Sequence, residues 1–358
     1  MKAAVCHEFG QPLAIEEVDL AAPAAGEVRV DIKACAICHS DIHFAEGAWG
    51  GVLPAVYGHE AAGVVSAVGD GVQHLAPGDH VVVTLVRSCG RCPCCEQGYY
   101  GSCETQFPLD AASPLSSNGA PVTHGLRTGA FAEQVVVEAS QAVAIDRDVP
   151  MDSVSLLACG VITGLGAVTN TAKVPAGANV VVIGTGGVGL NAVQGARLCG
   201  ARLIVAADLA ADKLEAALDF GATHTVNPGQ DDLRKTVKKL TGGRGADYVF
   251  VTVGAKVAVD QSYDLLAPGG AVVLVGMPAV GVKSEFEILT LANDTKRILG
   301  SKMGSSNIHV DIPHLVDLYK QGRLKLDELI TERYPLERIN EAIAAVNRGE
   351  ALRNVIVF

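Results

Sequence analysis

The chain has 358 residues, enough for about two domains, and 49% of them are hydrophobic against 19% charged, so a large buried core is available. A formal net charge of −11 disfavours nucleic acid and anionic membrane surfaces as partners. Ten cysteines are too sparse for a disulfide scaffold, MKAAVCHEFG lacks the apolar core of a signal peptide, and no apolar run reaches bilayer length, so a reducing cytoplasm is expected.

Up to about residue 150 the sequence predicts short β-strands. Val28 to Ile32, Ala62 to Val68, His80 to Val86 and Phe131 to Val137 are valine-rich and bounded by Gly, Pro or Asp. They read as an all-β unit, a distorted barrel. Inserted in it is SCGRCPCCEQGYYGSCE, whose Cys89, Cys92, Cys95 and Cys103 are spaced C-x2-C-x2-C-x7-C. Four thiolates close a tetrahedron around Zn²⁺ and leave no open position, so this cluster pins a loop and does no chemistry. Cys94 stands beside Cys95, and thiolate chemistry alone does not choose between them. The stretch 105–128, with Pro, Ser, Asn and Gly, is expected to be a long loop.

From Ser153 the pattern changes. A helix is predicted from Val154 to Thr171, then a strand at Asn179 to Ile183, a glycine turn, a helix through Leu198 and a strand at Leu203 to Ala207. Helices at Lys213 to Phe220, Leu233 to Leu240 and Val257 to Leu266 then alternate with strands at His224 to Val226, Asp247 to Val253 and Ala271 to Val275. Such alternation means βαβ units and a doubly wound parallel sheet. The tail carries two amphipathic helices, near Ile312 to Gln321 and Leu336 to Arg348, and ends in a strand from Asn354.

Between the strand at Asn179 and its helix lies Gly184-Thr185-Gly186-Gly187-Val188-Gly189, a G-x-G-x-x-G in the strand–helix context that a dinucleotide site requires. Gly184 permits the tight turn, and Gly186 lets the backbone approach a pyrophosphate. Gly187 and Val188 open the helix, and Gly189 lets helix and strand pack closely. Asp208 closes the second strand, where a carboxylate accepts from ribose hydroxyls and repels a 2′-phosphate, favouring NAD over NADP. Lys213, one helical turn on, is expected at the same ribose. Cys38, His59 and Cys159 lie outside the four-cysteine cluster; two thiolates and one imidazole would leave the fourth zinc position open, as a catalytic metal needs.

Cys38-x-Ser40-Asp41, Gly58-His59-Glu60-x-x-Gly63, the four-cysteine loop, Cys159 with Thr163 and Gly164, the glycine turn and Leu352-Arg353 occur in one order along the chain. In these the sequence resembles the zinc-dependent medium-chain alcohol dehydrogenase family, over essentially its whole length. The resemblance implies an α/β protein: a GroES-like β-barrel catalytic domain, 1–155 and 297–358, with a structural-zinc loop 88–104, and a Rossmann NAD-binding domain, 156–296. It implies two zinc ions per chain, a catalytic one on Cys38, His59 and Cys159 and a structural one on Cys89, Cys92, Cys95 and Cys103, selecting Cys95 over Cys94. Glu60 would lie behind the catalytic metal, and Asp41 would orient His59. Ser40 and His43 would carry the proton to solvent, and Thr163 would pack on the nicotinamide. Arg353 would contact the pyrophosphate, as would His39, where relatives carry Arg.

Trp49, Leu85 and Phe107 would line the substrate pocket, with Met277 at its border beside the cofactor. The expected reaction is reversible hydride transfer between NAD and a primary alcohol, medium-chain or aromatic. The resemblance implies a homodimer through the edge strand near Ala271 to Val275 and the segment after it, or a tetramer. A nicotinoprotein with trapped NAD and a non-catalytic zinc- and NAD-binding protein are the alternatives.

Overall fold

The computed structural model describes residues 1–358 and divides into two compact units: Met1–Gly160 with Asn307–Phe358, and Val161–Ser306. The expected division fell at 155/156 and 296/297. The first boundary lies later because the 3-10 turn Leu156–Ala158 packs on the strand Glu60–Val68. The second lies later because Arg297–Gly300 is a strand of the parallel sheet.

In the first unit, the ten-residue strand Glu27–Ala36 is the centre of a seven-stranded sheet. Val28, Val30 and Ile32 are buried while Arg29 and Asp31 are half-buried, the two-residue alternation of a strand with one face on the core. It pairs antiparallel with Glu60–Val68 on one side, and with Gln134–Glu138 and Arg353–Val357 on the other. The register sets Ala36 opposite both Glu60 and Val355. Residues 38, 59 and 353 are therefore delivered to one end of the sheet. A second six-stranded sheet contains Lys2–Cys6, Ala55–Val56 and Ala120–His124.

The stretch 105–128 is not the structureless loop expected. It folds into a short helix, Pro108–Ala111, and a hairpin, Leu115–Ser117 with Ala120–His124. Asn118 and Gly119 both take positive φ, 50° and 78°, the geometry of a primed two-residue turn. The Asn-Gly pair was a legible hairpin signal, masked by the polar composition around it.

The second unit is a six-stranded, wholly parallel sheet. Its order is His224–Val226, Leu203–Ala207, Asn179–Ile183, Ala246–Val251, Leu266–Leu274, Arg297–Gly300. Numbered by appearance this is 3-2-1-4-5-6, the doubly wound nucleotide-binding order with its switch point beside Asn179–Ile183. Of the expected pairing edge, the strand holding Ala271 is hydrogen-bonded on both sides, while Arg297–Gly300, which follows it, is a terminal strand of the sheet, as is His224–Val226 at the other end. The helix predicted from Val154 to Thr171 is broken into Met151–Ser155, a 3-10 turn, Gly160–Gly166 and a π-turn, Ala167–Thr171. No single helix is long and apolar enough to cross a membrane.

Candidate active site

Cys38 precedes the helix His39–Ala45, and the side chain of Asp41 reaches back to accept the Cys38 N–H at 3.1 Å, as in a capping box. Asp41 is buried, and its other oxygen accepts from Gly58 N and His59 Nδ1, each at 2.9 Å. A carboxylate at Nδ1 fixes the tautomer and leaves the Nε2 lone pair free to bind a metal. That Nε2 is buried and has no hydrogen-bond partner. Around it the ligand atoms of Cys38, His59, Glu60 and Cys159 all lie within 4.8 Å of one another, and all four residues are buried.

The charges inside this cluster are strongly perturbed. The adjacent Cys159 thiol, with His59, holds Cys38 well below the usual thiol range despite burial. Cys159 is driven the other way, by its bond to Cys38 and by burial. Burial depresses His59, but the Asp41 carboxylate and the Cys38 sulfur together outweigh it and hold the imidazole high. Burial pushes Glu60 up to about 7, against the pull of Arg353. Buried thiols and an imidazole that trade protons at this range are a donor set for a divalent cation, which replaces those protons.

Cys89, Cys92, Cys95 and Cys103 form a second group with sulfurs within 4.8 Å of one another. The N–H groups of Arg91 and Cys92 point at Cys89 Sγ, at 3.5 and 3.3 Å. The Thr105 hydroxyl and these amides pull the Cys89 thiol down to about 6, whereas burial and then Cys92 push Cys95 up to about 12. Four such sulfurs cannot all ionise together without a cation among them. Cys94 lies outside the group, its thiol turned to Glu104 Oε1 at 3.4 Å.

In the second unit, Asn179–Ile183 is buried along its whole length and runs into Gly184, whose φ is +90°. A side chain there would meet Val253, and a Cβ on Gly189 would stand 1.8 Å from the Gly184 carbonyl oxygen. A Cβ on Gly186 would meet nothing within 4 Å, so this glycine keeps a space open rather than closing a contact. Gly186 precedes the twelve-residue helix Gly187–Leu198, and no side chain caps that N-terminus. Its first N–H groups stay available to an anion. Asp208 follows the neighbouring strand and accepts from Thr185 N at 2.7 Å, Thr185 Oγ1 at 3.1 Å and Ala210 N at 3.1 Å.

The family description "Alcohol dehydrogenase GroES-like domain" matches residues 24–147, and "Zinc-binding dehydrogenase" matches residues 187–321. Alcohol dehydrogenase 1 of Pisum sativum is 36% identical over 99% of this chain and 96% of its own. The NDMA-dependent alcohol dehydrogenase of Amycolatopsis methanolica is 37% identical over 99% and 98%. The crystal structure of benzyl alcohol dehydrogenase from Acinetobacter calcoaceticus superimposes with a TM-score of 0.94 at 31% identity, covering 100% of this chain and 99% of that one. The chain belongs to the zinc-dependent medium-chain alcohol dehydrogenase family.

The enzyme's residues fit the groups its family implies. The buried, partnerless His59 Nε2 beside two thiols suits zinc, and the open space over Gly186 at an uncapped helix N-terminus suits a dinucleotide. Other expected residues have specific neighbours. Arg353, expected at a pyrophosphate, is buried and ion-paired with Glu60, because each buried charge needs the other. Trp49, expected in the pocket wall, packs its ring on His43 at 5.0 Å and on Phe44 at 5.3 Å. His39 is exposed, with its ring 6.5 Å from that of His43, and Ser40 is half-buried. Thr163 is buried, its hydroxyl on the Met303 sulfur. Leu85 is half-buried, Lys213 is half-buried and Met277 is exposed.

Sequence reasoning missed Arg87. It is fully buried, donating from Nε to Gln141 Oε1 at 2.8 Å, from Nη1 to Asp110 Oδ1 at 2.9 Å and from Nη2 to the Arg127 carbonyl at 3.3 Å. The guanidinium lies over the Phe107 ring at 5.7 Å and meets His124 Nε2 at 3.4 Å. Burial and then this cation push His124 down to about 4. The network anchors Phe107 and the 115–124 hairpin to the end of the strand His80–Thr84, through Gln141 on the Thr84 carbonyl. An arginine two residues before a zinc-loop cysteine gives no sequence sign of burial.

Proposed function

We propose that this enzyme oxidises a primary alcohol, medium-chain or aromatic, to the aldehyde with NAD, reversibly, at a zinc held by Cys38, His59 and Cys159. The observation that carries the reading is the buried three-donor set with His59 Nε2 left without a partner. Zinc bound there supplies Lewis acidity toward an alcohol oxygen, and NAD supplies the two-electron acceptor. Asp41 holds the His59 Nδ1 proton, so that Nε2 faces the site throughout. Glu60, paired with Arg353, keeps a carboxylate in reserve behind the thiols. Ser40 Oγ passes the alcohol proton toward the His43 ring, which delivers it to solvent. Gly184, Gly186, Gly187, Val188 and Gly189 receive the pyrophosphate. Asp208 and Lys213 receive the adenosine ribose, and Thr163 and Met277 complete the cofactor site of the second unit.

A second zinc on Cys89, Cys92, Cys95 and Cys103 is structural. Trp49, Leu85 and Phe107 make the pocket apolar; this and the likeness to a benzyl alcohol dehydrogenase favour an aromatic substrate. A homodimer through Arg297–Gly300 is supported by its terminal place in the sheet and by exposed Ile288, Leu289 and Ile298 within it or near it in sequence. The cytoplasm is the proposed compartment, since the cysteines group for metal.

The test is NADH formation from a panel running from ethanol to cinnamyl alcohol, with and without added NAD. Turnover that needs added NAD and favours aromatic alcohols supports the proposal. Turnover only with an artificial acceptor means trapped cofactor, a reading favoured by the 37% identity to an NDMA-dependent relative. No turnover by zinc-replete protein on any alcohol overturns both.

A further inference from the structure

Thr185 occupies the second position of the glycine-rich turn, where a G-x-G-x-x-G accepts any residue. Here the side chain is fully buried and has a specific task. Its N–H and its hydroxyl both lie on one oxygen of Asp208, Oδ2, at 2.7 and 3.1 Å. The Lys213 carbonyl, at 3.3 Å in the helix Ala211–Phe220, is a longer alternative acceptor for the single hydroxyl proton, which the nearer, charged Asp208 oxygen takes. Asp208 Oδ1 accepts one bond, from Ala210 N.

A carboxylate offers about four acceptor positions, two on each oxygen. Thr185 fills both on Oδ2 and Ala210 fills one on Oδ1, so a single acceptor position remains, on Oδ1. Its direction is fixed, because the carboxylate cannot turn without breaking two bonds to Thr185. Free to turn, the same carboxylate could swing its charge aside and admit a phosphate on the ribose.

We propose that Thr185 is a positioning residue that sets cofactor specificity. It locks Asp208 so that one acceptor meets a ribose hydroxyl and the negative charge stays where a 2′-phosphate would have to sit. The inference rests on the dinucleotide reading of the turn and of Asp208, and deepens it.

The experiment is equilibrium binding of NADH and of NADPH to the full-length zinc-loaded protein, followed by nicotinamide fluorescence, with no turnover required. Thr185→Val keeps the size and branching of the side chain and removes only the hydroxyl. It is expected to lower the preference for NADH over NADPH about fivefold, the effect of one charge-assisted bond partly replaced by the remaining N–H. Thr185→Ser, which restores the hydroxyl, should hold the preference within about twofold of the parent. Thr185→Ala reports in the same direction should Val disturb the packing. Equal weakening for both cofactors, or an unchanged ratio in Val and Ala while Asp208→Asn lowers it, overturns the role of Thr185. An unchanged ratio in Asp208→Asn overturns the carboxylate reading itself and the proposal with it.

Discussion

Asp41→Asn removes one charge from the catalytic cluster while keeping the shape of the side chain. Asp41 accepts three bonds: Cys38 N at 3.1 Å on one oxygen, Gly58 N and His59 Nδ1 at 2.9 Å on the other. The amide can keep its oxygen on Gly58 and His59 only by turning its NH₂ toward the Cys38 N–H. The reverse orientation would set NH₂ against two donors and force the His59 proton onto Nε2. The first orientation therefore wins, leaving the Cys38 N–H and the new amide NH₂ facing each other without an acceptor, at a cost of about 1–3 kcal/mol in stability for each unpaired group. Losing the charge behind His59 should also weaken zinc binding about 10- to 100-fold, which is ~1.4–2.7 kcal/mol. Competition for zinc with a colorimetric chelator measures the second effect, and urea unfolding of the metal-free chain measures the first. Zinc affinity within about twofold of the parent, with an unmoved unfolding midpoint, would refute the assignment.

Three further outcomes are expected. Cys95→Ser should lose one zinc per chain by metal analysis and become sensitive to heat and chelators, whereas Cys94→Ser should keep its full metal content, since the Cys94 thiol faces Glu104. Gly186→Ala should fold normally yet bind NADH at least about tenfold more weakly, because its Cβ fills only the open space. Gly189→Ala should instead lose several kcal/mol of stability, because its Cβ falls on the Gly184 carbonyl; equal unfolding midpoints for the two would contradict this division. His124 is held neutral in the fold, down to about 4, while the unfolded chain takes up its proton near 6.5. Its contribution is therefore present above about pH 6.5 and is lost as pH falls toward 4, by up to ~3 kcal/mol. Urea titrations at pH 7, 5 and 4 should show a shallower acid loss in His124→Gln, and parallel curves would reject the buried neutral imidazole.

Local chemistry made much of this protein legible in its sequence. The glycine turn announces itself because strand, turn and helix are consecutive, and Gly189 answers the carbonyl of nearby Gly184. The four-cysteine loop is similarly short-range, and the valine runs mark strands whose period is intrinsic to the backbone. The hairpin at Asn118-Gly119 was equally local, and a reading by composition overlooked it.

What only the tertiary structure decided is non-local. Cys38 and His59 meet because the register sets Ala36 opposite Glu60, and Arg353 joins them because Val355 lies opposite the same Ala36. A one-residue slip would turn each of these side chains to the other face, and spacing along the chain carries no record of register. The family resemblance named the metal ligands, but not the pairing of Arg353 with Glu60, the burial of Arg87 or the clamp of Thr185 on Asp208. Glu60, Arg353 and Arg87 are charges withdrawn from water, and for each of these three, as for Asp208, the partner comes from a distant segment that only the packed fold brings within hydrogen-bond reach.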